Sequence, residues 1–217
     1  MRGVSTLVRN AKQRRSRAQL LNAARVAARG WGWPVAPAVG LTAEGDCRCP
    51  RIDCPVPGAH PHDPKLLAAT TDDRMIKWWW SRRPTAPVLV ATGSQVCALS
   101  LPAEAGARVL DYFDALRVPT GPVIATPTRY VLLVAPYSLP ELADLLVAQE
   151  WVPSSLRYHG PGGFVVLPPS ETGAGALRWI RRPLSARRTP WLPAVSDLVE
   201  ALVEASIATP DGATLAP

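Results

Sequence analysis

The chain has 217 residues, of which 47% are hydrophobic and 19% charged, so it has enough apolar residues for a packed core and is not globally disordered. Proline accounts for 24 residues, roughly twice ordinary usage. Because these prolines are dispersed and proline ends helices, a coiled coil or a long helical bundle is excluded. The net charge of +7 is concentrated near the N-terminus.

The basic character belongs to the first segment of the chain. Residues 1–43 hold eight basic residues and no acid, and the remainder holds 16 basic against 17 acidic residues, so it is close to neutral. The eight are Arg2, Arg9, Lys12, Arg14, Arg15, Arg17, Arg25 and Arg29. We expect residues 1–16 to form a flexible basic arm, which either meets phosphates or is a solvated or targeting segment.

Membrane and secretory segments are not expected. The most apolar stretch, 130–135, is far shorter than the ~20 residues that a spanning helix needs. The candidate signal region at 20–26 is interrupted by Arg25, which is unlike a secretory signal. We therefore expect a cytoplasmic protein with no membrane partner.

Apolar residues at helical spacing predict a first helix over 17–28, with Gly30 as its stop. Two prolines then allow at most a short edge strand at 34–37. A polar loop is expected over 42–65.

A second helix is predicted from the N-cap Thr71 to about Arg82, because Asp72 and Asp73 would lie in its first turn, where the helix dipole favours acids. Three tryptophans at 78–80 invite a base-stacking interpretation. Adjacent helical positions point about 100° apart, so at most two of these side chains can face the core. Core packing with one exposed tryptophan is the favoured interpretation.

The rest of the chain mixes strands and helices. Strands are expected at 88–91, 96–101, 122–125, 130–134 and 164–167, and helices at 104–116, 138–150 and 194–207. Ser138 and Glu141 have the spacing of a capping box. The pattern predicts an α+β domain over 17–207, followed by a disordered tail at 208–217.

Three of the four cysteines lie in the polar loop with two histidines close behind: Cys47, Cys49, Cys54, His60 and His62. Thiolates and imidazole are the ligands that Zn²⁺ prefers, and four of them in a tetrahedral array form a closed structural site. The alternatives are free thiols, which are usually buried in apolar sequence, or a disulfide, which is rare in a cytosolic chain. We therefore predict a structural zinc site of the three cysteines and His60, with His62 as the substitute fourth ligand.

Six segments follow one another over about residues 18–184: GWGWPVAP, CRCPRIDCPVPGAHP, TTDDRMIKWWWSRRP, VLVATG, PTGPVIATPTRY and RYHGPGGFVVLPPSETGAGALRWIRRP. Together they resemble the N-terminal primase-polymerase (prim-pol) domain of bifunctional DNA primase/polymerases, in the archaeo-eukaryotic primase superfamily. The resemblance implies a sheet related to the RNA-recognition type with flanking helices, and a zinc-binding insertion at the cysteine loop. It also implies carboxylates that hold Mg²⁺ or Mn²⁺ for transfer of a nucleotide.

The carboxylates that the resemblance implies are missing from their expected places. The first acidic pair would fall on the strand VCALSLP, where Cys97 and Ser100 stand, and a further acid would fall near Ser155. A histidine of the family pattern aligns with Arg129 or Tyr130. We therefore expect a catalytically inactive prim-pol-like protein that binds nucleic acid, such as single-stranded DNA, or a nucleotide.

The candidate nucleic-acid- or nucleotide-binding residues are Arg129, Arg157, His159, Arg181 and Arg182. A glycine turn at 160–163 could present backbone amides to a phosphate, although such a turn is usually only a hairpin. The basic run at 178–188 either follows a nucleic-acid backbone or is a solvated face.

Two other functions remain open at this point. One is an active DNA primase/polymerase that uses Mg²⁺ or Mn²⁺ and carboxylates placed elsewhere, such as Glu104, Asp111 and Asp114 on a predicted helix. The other is a regulatory module that inherited the fold and binds a protein partner.

Overall fold

The computed structural model describes residues 2–149, 151–186 and 188–208. The chain divides into two compact units. Unit 1 comprises Met1–Val90, Val166–Ala176 and Ala186–Arg188, and unit 2 comprises Ala91–Val165, Leu177–Ser185 and Thr189–Pro217. The mixture of helices and sheets confirms the α+β class.

The helices are α1 (Arg2–Arg25), α2 (Asp73–Arg82), α3 (Ala103–Ala115), α4 (Leu139–Val147) and α5 (Val199–Ile207) among the described residues. The strands of the same part of the chain are β1 (Val35–Pro37), β2 (Val88–Ala91), β3 (Cys97–Pro102), β4 (Val123–Ala125), β5 (Arg129–Val134), β6 (Arg157–His159), β7 (Phe164–Leu167), β8 (Glu171–Thr172), β9 (Gly175–Ala176) and β10 (Arg178–Arg181). None of these helices is both long and apolar enough to cross a membrane.

The two helices of unit 1 begin at other residues than predicted. Helix α1 starts at Arg2 instead of position 17 and ends in a π-helical turn at Val26–Gly30. Residues 2–16 are helical and contain no proline, and about half of them are good helix formers, namely arginine, lysine, glutamine, leucine and a single alanine. Helix α2 takes Asp72 as its N-cap, in place of Thr71.

Unit 1 contains a small sheet with the strand order β1-β2-β7, and the last two residues of β7 belong to this unit. The two-stranded β8–β9 hairpin lies in the same unit. Strands β1 and β2 pair antiparallel, with Ala36 opposite Leu89. Both strands are buried, as their apolar sequences require. The polar loop 42–65 leaves the end of β1 and belongs to the same unit.

Unit 2 is built on a five-stranded antiparallel sheet in the order β10-β4-β5-β3-β6. Side chains alternate between the two faces of a strand. Along β3, Cys97, Leu99 and Leu101 face a core that α3, α4 and α5 cover, while Ala98 and Ser100 lie on the opposite face. Burial of this apolar face stabilises unit 2 and sets the register of its strands.

Helix ends in unit 2 agree only partly with the sequence patterns. The capping box of Ser138 and Glu141 is confirmed, and α4 ends at Val147. The predicted helix over 194–207 is split into a 3-10 turn at Val195–Asp197 and α5. Strands β6, β8, β9 and β10 were not predicted, because they are short and polar or glycine-rich. Glu150 and the tail from 209 lie outside the described residues.

Candidate functional site

The cysteine loop of unit 1 folds back onto its own entry through backbone hydrogen bonds. Val39 N donates to His60 O at 2.9 Å, and Gly40 N donates to Gly58 O at 3.2 Å. Leu41 and Cys47 form an isolated antiparallel bridge. These bonds bring the beginning and the end of the loop together, although its cysteines and histidine are separated in sequence.

Four side chains of this loop meet at one point: Cys47, Cys49, Cys54 and His60. Their ligand atoms all lie within 4.8 Å of one another, and Cys47 Sγ is 3.4 Å from His60 Nε2. Tetrahedral zinc with Zn–S of about 2.3 Å and Zn–N of about 2.0 Å would separate neighbouring ligand atoms by about 3.5–3.8 Å. The three sulfurs and one nitrogen therefore fit a tetrahedral metal ion.

Hydrogen bonds to the backbone orient two of the four ligand side chains. His60 Nδ1 lies 2.9 Å from the carbonyl oxygen of Pro61, so a proton on Nδ1 would be donated there and would leave the Nε2 lone pair for a metal. Gly58 N donates to Cys47 Sγ at 3.2 Å. Burial opposes ionisation of Cys47, but the hydrogen bonds from Gly58 and Cys49 outweigh it and lower the pKa of this thiol to about 6. A thiolate is the form that binds metal.

A glycine with a positive φ, Gly58, holds the end of the loop against its entry. Gly58 has φ +73°, and a Cβ at this position would lie 2.8 Å from Cδ2 of Leu41. The hairpin supports the same segment, since Gly173 N donates to Pro57 O at 2.8 Å. Glycine is thus required where the chain must present an amide to Cys47. His62 is exposed and is not part of the four-ligand cluster.

In unit 2, the sheet face opposite the helical core carries polar side chains on three neighbouring strands, which we call the polar sheet face: Ser100, Arg129, Arg157 and His159. Ser100 lies opposite Arg157, and Ala98 lies opposite His159. Residues opposite one another in an antiparallel pair share a face. Register alone therefore brings β3 and β6 side chains together.

The guanidinium of Arg129 lies at the centre of the polar sheet face. Its Nη2 donates to Ser100 O at 2.7 Å and to Ser155 O at 2.6 Å, and it lies 3.3 Å from Ser100 Oγ. Ser100 and Ser155 are both buried. The positions where the family resemblance implies acids are thus neutral, and they are joined by one cationic side chain.

His159 completes this arrangement from β6. Its Nε2 lies 3.0 Å from Ser100 Oγ. Burial lowers the pKa of His159 to about 4, with further lowering by the nearby charges of Arg129 and Arg157. The imidazole is therefore neutral near pH 7, and its interaction with Ser100 is a hydrogen bond between two uncharged groups.

Two pairs of predicted site residues do not lie together in the structure: Cys97 with Ser100, and Arg157 with Arg181. Cys97 is fully buried on the core face of β3, so it does not share a face with Ser100. Arg181 belongs to β10 and Arg157 to β6, at opposite edges of the sheet and roughly 19 Å apart at about 4.8 Å per strand. Because successive side chains of a strand point to opposite faces, the sequence spacing of three between Cys97 and Ser100 already predicts that they lie on opposite faces.

Arg181 is engaged in an ion pair within unit 2. Its Nη2 lies 2.6 Å from Asp114 Oδ1, and its Nη1 donates to Thr120 Oγ1. Arg182 is exposed beyond the end of β10. Arg181 therefore ties β10 to α3, while Arg182 faces solvent. Arg187 of the same basic run lies outside the described residues.

Carboxylates do not gather into a second metal-binding group in the part of the chain that the structure describes. Glu104, Asp111 and Asp114 lie exposed on α3, and Asp114 is paired with Arg181. Among the described side chains, the group that could hold a metal ion is the cysteine cluster.

The glycine turn at 160–163 connects β6 and β7, which belong to different sheets, so it is not a hairpin. Thr92 Oγ1 donates to Gly160 O at 2.7 Å. Gly93 packs so closely on this turn that a Cβ would lie 2.5 Å from Pro161 Cα. These contacts indicate a packing role for the turn.

Comparison with known proteins gives one match. The family described as Prim-Pol, "Bifunctional DNA primase/polymerase, N-terminal", matches residues 23–195, about four fifths of the chain. The match includes the cysteine cluster and the polar sheet face, and it confirms the resemblance carried by the six sequence segments. Neither a curated protein nor a solved structure matches the chain.

Proposed function

The chain belongs to the prim-pol family of N-terminal domains of bifunctional DNA primase/polymerases, and we propose that it binds nucleic acid or a nucleotide without transferring nucleotides. One observation carries this proposal: the guanidinium of Arg129 is hydrogen-bonded between Ser100 and Ser155, where acids would be needed. Arg157 on the same face is exposed.

The charge of this centre favours phosphate over metal. Nucleotidyl transfer in a two-metal site depends on carboxylates that hold both cations against the phosphates. A fixed guanidinium repels a divalent cation and attracts a phosphate oxygen. The polar sheet face contains two guanidinium groups and a neutral imidazole and no carboxylate. It therefore attracts phosphate oxygens.

The cysteine cluster supports a proposal about the bound metal. We propose that Cys47, Cys49, Cys54 and His60 hold a structural Zn²⁺, because three thiolates and one imidazole are ligands that this ion prefers. Zinc bound there would cross-link the loop and stabilise unit 1. With four protein ligands no coordination position would remain for a substrate.

Primer synthesis tests the absence of catalysis. Purified full-length chain, single-stranded template, dNTPs and either Mg²⁺ or Mn²⁺ should yield no incorporation above a no-protein control. Incorporation that Asp111→Ala abolishes would establish the active alternative with acids on α3. In that case Mg²⁺ or Mn²⁺ would be the catalytic cofactor.

Binding at two salt concentrations tests the ligand class. We expect single-stranded DNA or dNTP to bind at 50 mM salt and to dissociate at 300 mM salt, because phosphate contacts release counterions. Arg157→Ala should weaken this binding, while Arg117→Ala, an exposed arginine on the turn after α3, serves as the matched control. No affinity for either ligand at low salt would favour the protein-interaction alternative.

A further inference from the structure

Helix α2 in unit 1 buries one face and exposes an aromatic residue on another. Ile76, Trp79 and Trp80 are buried, whereas Trp78 is 50% exposed and Met75 is 43% exposed. Met75 and Trp78 are three residues apart and therefore lie next to each other on the helix surface. The sequence expectation of one exposed tryptophan is confirmed, and its identity is Trp78.

A guanidinium already lies over the exposed indole. Arg82 Cζ is 4.7 Å from the centroid of the Trp78 ring, at the (i, i+4) spacing that places the two side chains together. Arg82 is itself exposed. The planar cation thus lies over the aromatic plane in solvent, and an aromatic ring together with a cation is the combination that receives bases and phosphates in single-stranded nucleic-acid binding.

The first turn of α2 carries an excess of positive charge around its one carboxylate. Asp73 is contacted by three cations: Arg25 at 2.6 Å, Lys77 at 2.7 Å and Arg29 at 3.8 Å. One carboxylate therefore faces three positive charges between α1 and α2.

The two helices extend this charge further. Arg74 is exposed one turn before Trp78. Three further arginines of α1 are exposed, namely Arg14, Arg15 and Arg17. The α1 sequence contains no acid, so its charge is not compensated within the helix.

We propose that an α2 platform, formed by Arg74, Met75, Lys77, Trp78 and Arg82, binds single-stranded nucleic acid by stacking a base on Trp78 while the cations contact flanking phosphates. This inference rests on the nucleic-acid form of the proposed function and assigns it a second surface, separate in sequence from the polar sheet face. Charge complementarity selects the occupant, because a polyanion matches the arginine over the ring and the exposed Arg74 one turn before it.

The single strand is favoured over the duplex for a geometric reason. In a duplex the bases are stacked on one another, so an indole on a helix surface meets only phosphates. In a single strand an unstacked base can lie on the ring. An acidic peptide would satisfy the cations but would make no use of the ring plane.

The test compares three ligands on the full-length chain: a dT oligonucleotide, an abasic oligonucleotide of the same length, and a duplex. Wild type should bind the dT strand more tightly than the abasic strand. Trp78→Ala should weaken dT binding about tenfold, within the range for loss of one base stack, and should leave abasic binding unchanged. Trp78→Phe keeps a ring and should retain most of the affinity.

Two controls address charge and nonspecific loss of a tryptophan. Trp151→Ala removes another exposed tryptophan, 61% exposed and in unit 2, and should leave dT affinity unchanged. Arg82→Gln should weaken dT and abasic binding alike and reduce the dependence on salt, whereas Arg82→Lys should keep the abasic affinity. Thermal unfolding of each variant verifies that it is folded.

The outcomes separate this inference from the proposed function. If wild type binds the dT strand and Trp78→Ala binds it equally, the α2 platform is refuted while the proposed function stands. If wild type binds neither strand at low salt, both are refuted for nucleic acid. Preferential binding of the duplex, of an acidic peptide such as polyglutamate or of anionic lipid vesicles would also overturn the inference.

Discussion

Arg129 spans both polar groups of Ser100: its Nη2 lies 2.7 Å from the carbonyl oxygen and 3.3 Å from Oγ. The same nitrogen reaches Ser155 O at 2.6 Å. One side chain of β5 thus satisfies buried oxygens of β3 and of the segment before β6. Because buried acceptors are costly when left unpaired, Arg129 is a structural element as well as a source of charge.

Arg129→Ala should therefore reduce the free energy of unfolding by about 2–4 kcal/mol, because hydrogen bonds from a charged donor are lost and buried oxygens remain unpaired. Denaturant unfolding followed by far-UV circular dichroism measures the change. Arg129→Lys should recover only part of it, since an ammonium group lacks the planar fork. An alanine variant within about 0.5 kcal/mol of wild type, the usual range of a surface substitution, would contradict this role.

Metal content should distinguish the two histidines of the cysteine loop. We expect about one zinc per chain in wild type and in His62→Ala, and strongly reduced zinc in Cys49→Ser and His60→Ala, because only the latter two remove a member of the cluster. Elemental analysis after dialysis gives the stoichiometry. Chelation should lower the melting temperature of wild type. Retention of zinc by both ligand variants would refute the assigned ligand set.

His159 should make stability depend on pH. Its pKa is about 4 in the folded chain against an ordinary value of 6.5, so the unfolded state binds more protons between these values and stability falls as pH decreases from about 6.5 to about 4. From pH 7 to pH 5 this loss is about 2 kcal/mol.

Comparison of wild type with His159→Gln isolates this effect, because acid also weakens the cysteine cluster in both proteins. The difference in unfolding free energy between the two should shift in favour of the variant by about 2 kcal/mol at pH 5 relative to pH 7. An unchanged difference would show that His159 titrates near its ordinary pKa.

Gly58→Ala should destabilise unit 1 and weaken zinc binding. The substitution forces an L-residue to adopt φ +73° and places a Cβ 2.8 Å from the Leu41 side chain. Gly32→Ala is the matched control, because Gly32 has φ +75° with no neighbouring atom within 4 Å. We expect the control to lose about 1 kcal/mol from the backbone alone and Gly58→Ala to lose more. Equal losses would exclude the steric contribution of Leu41.

Local chemistry explains why some features were predictable from the residues. Ser138 and Glu141 specify a helix start by themselves, since a capping box involves only neighbouring backbone groups. The same holds for the ligand types of the cysteine loop, where sulfur and imidazole in a short proline-rich segment indicate zinc. In contrast, the start of α1 at Arg2 does not follow from the basic residues alone, because a basic segment without proline is compatible with both a helix and a flexible arm.

The sequence by itself determined the family, the α+β class, the composition of the candidate metal centre and the scarcity of acids on β3. Only the tertiary structure decided that His60 and not His62 joins the cysteines, that Cys97 and Ser100 lie on opposite faces, and that Arg129 joins Ser100 to Ser155. The reason is physical: residue chemistry and helix capping act over a few neighbouring positions. Strand register and loop closure depend on backbone pairing between distant segments, which the order of residues does not display.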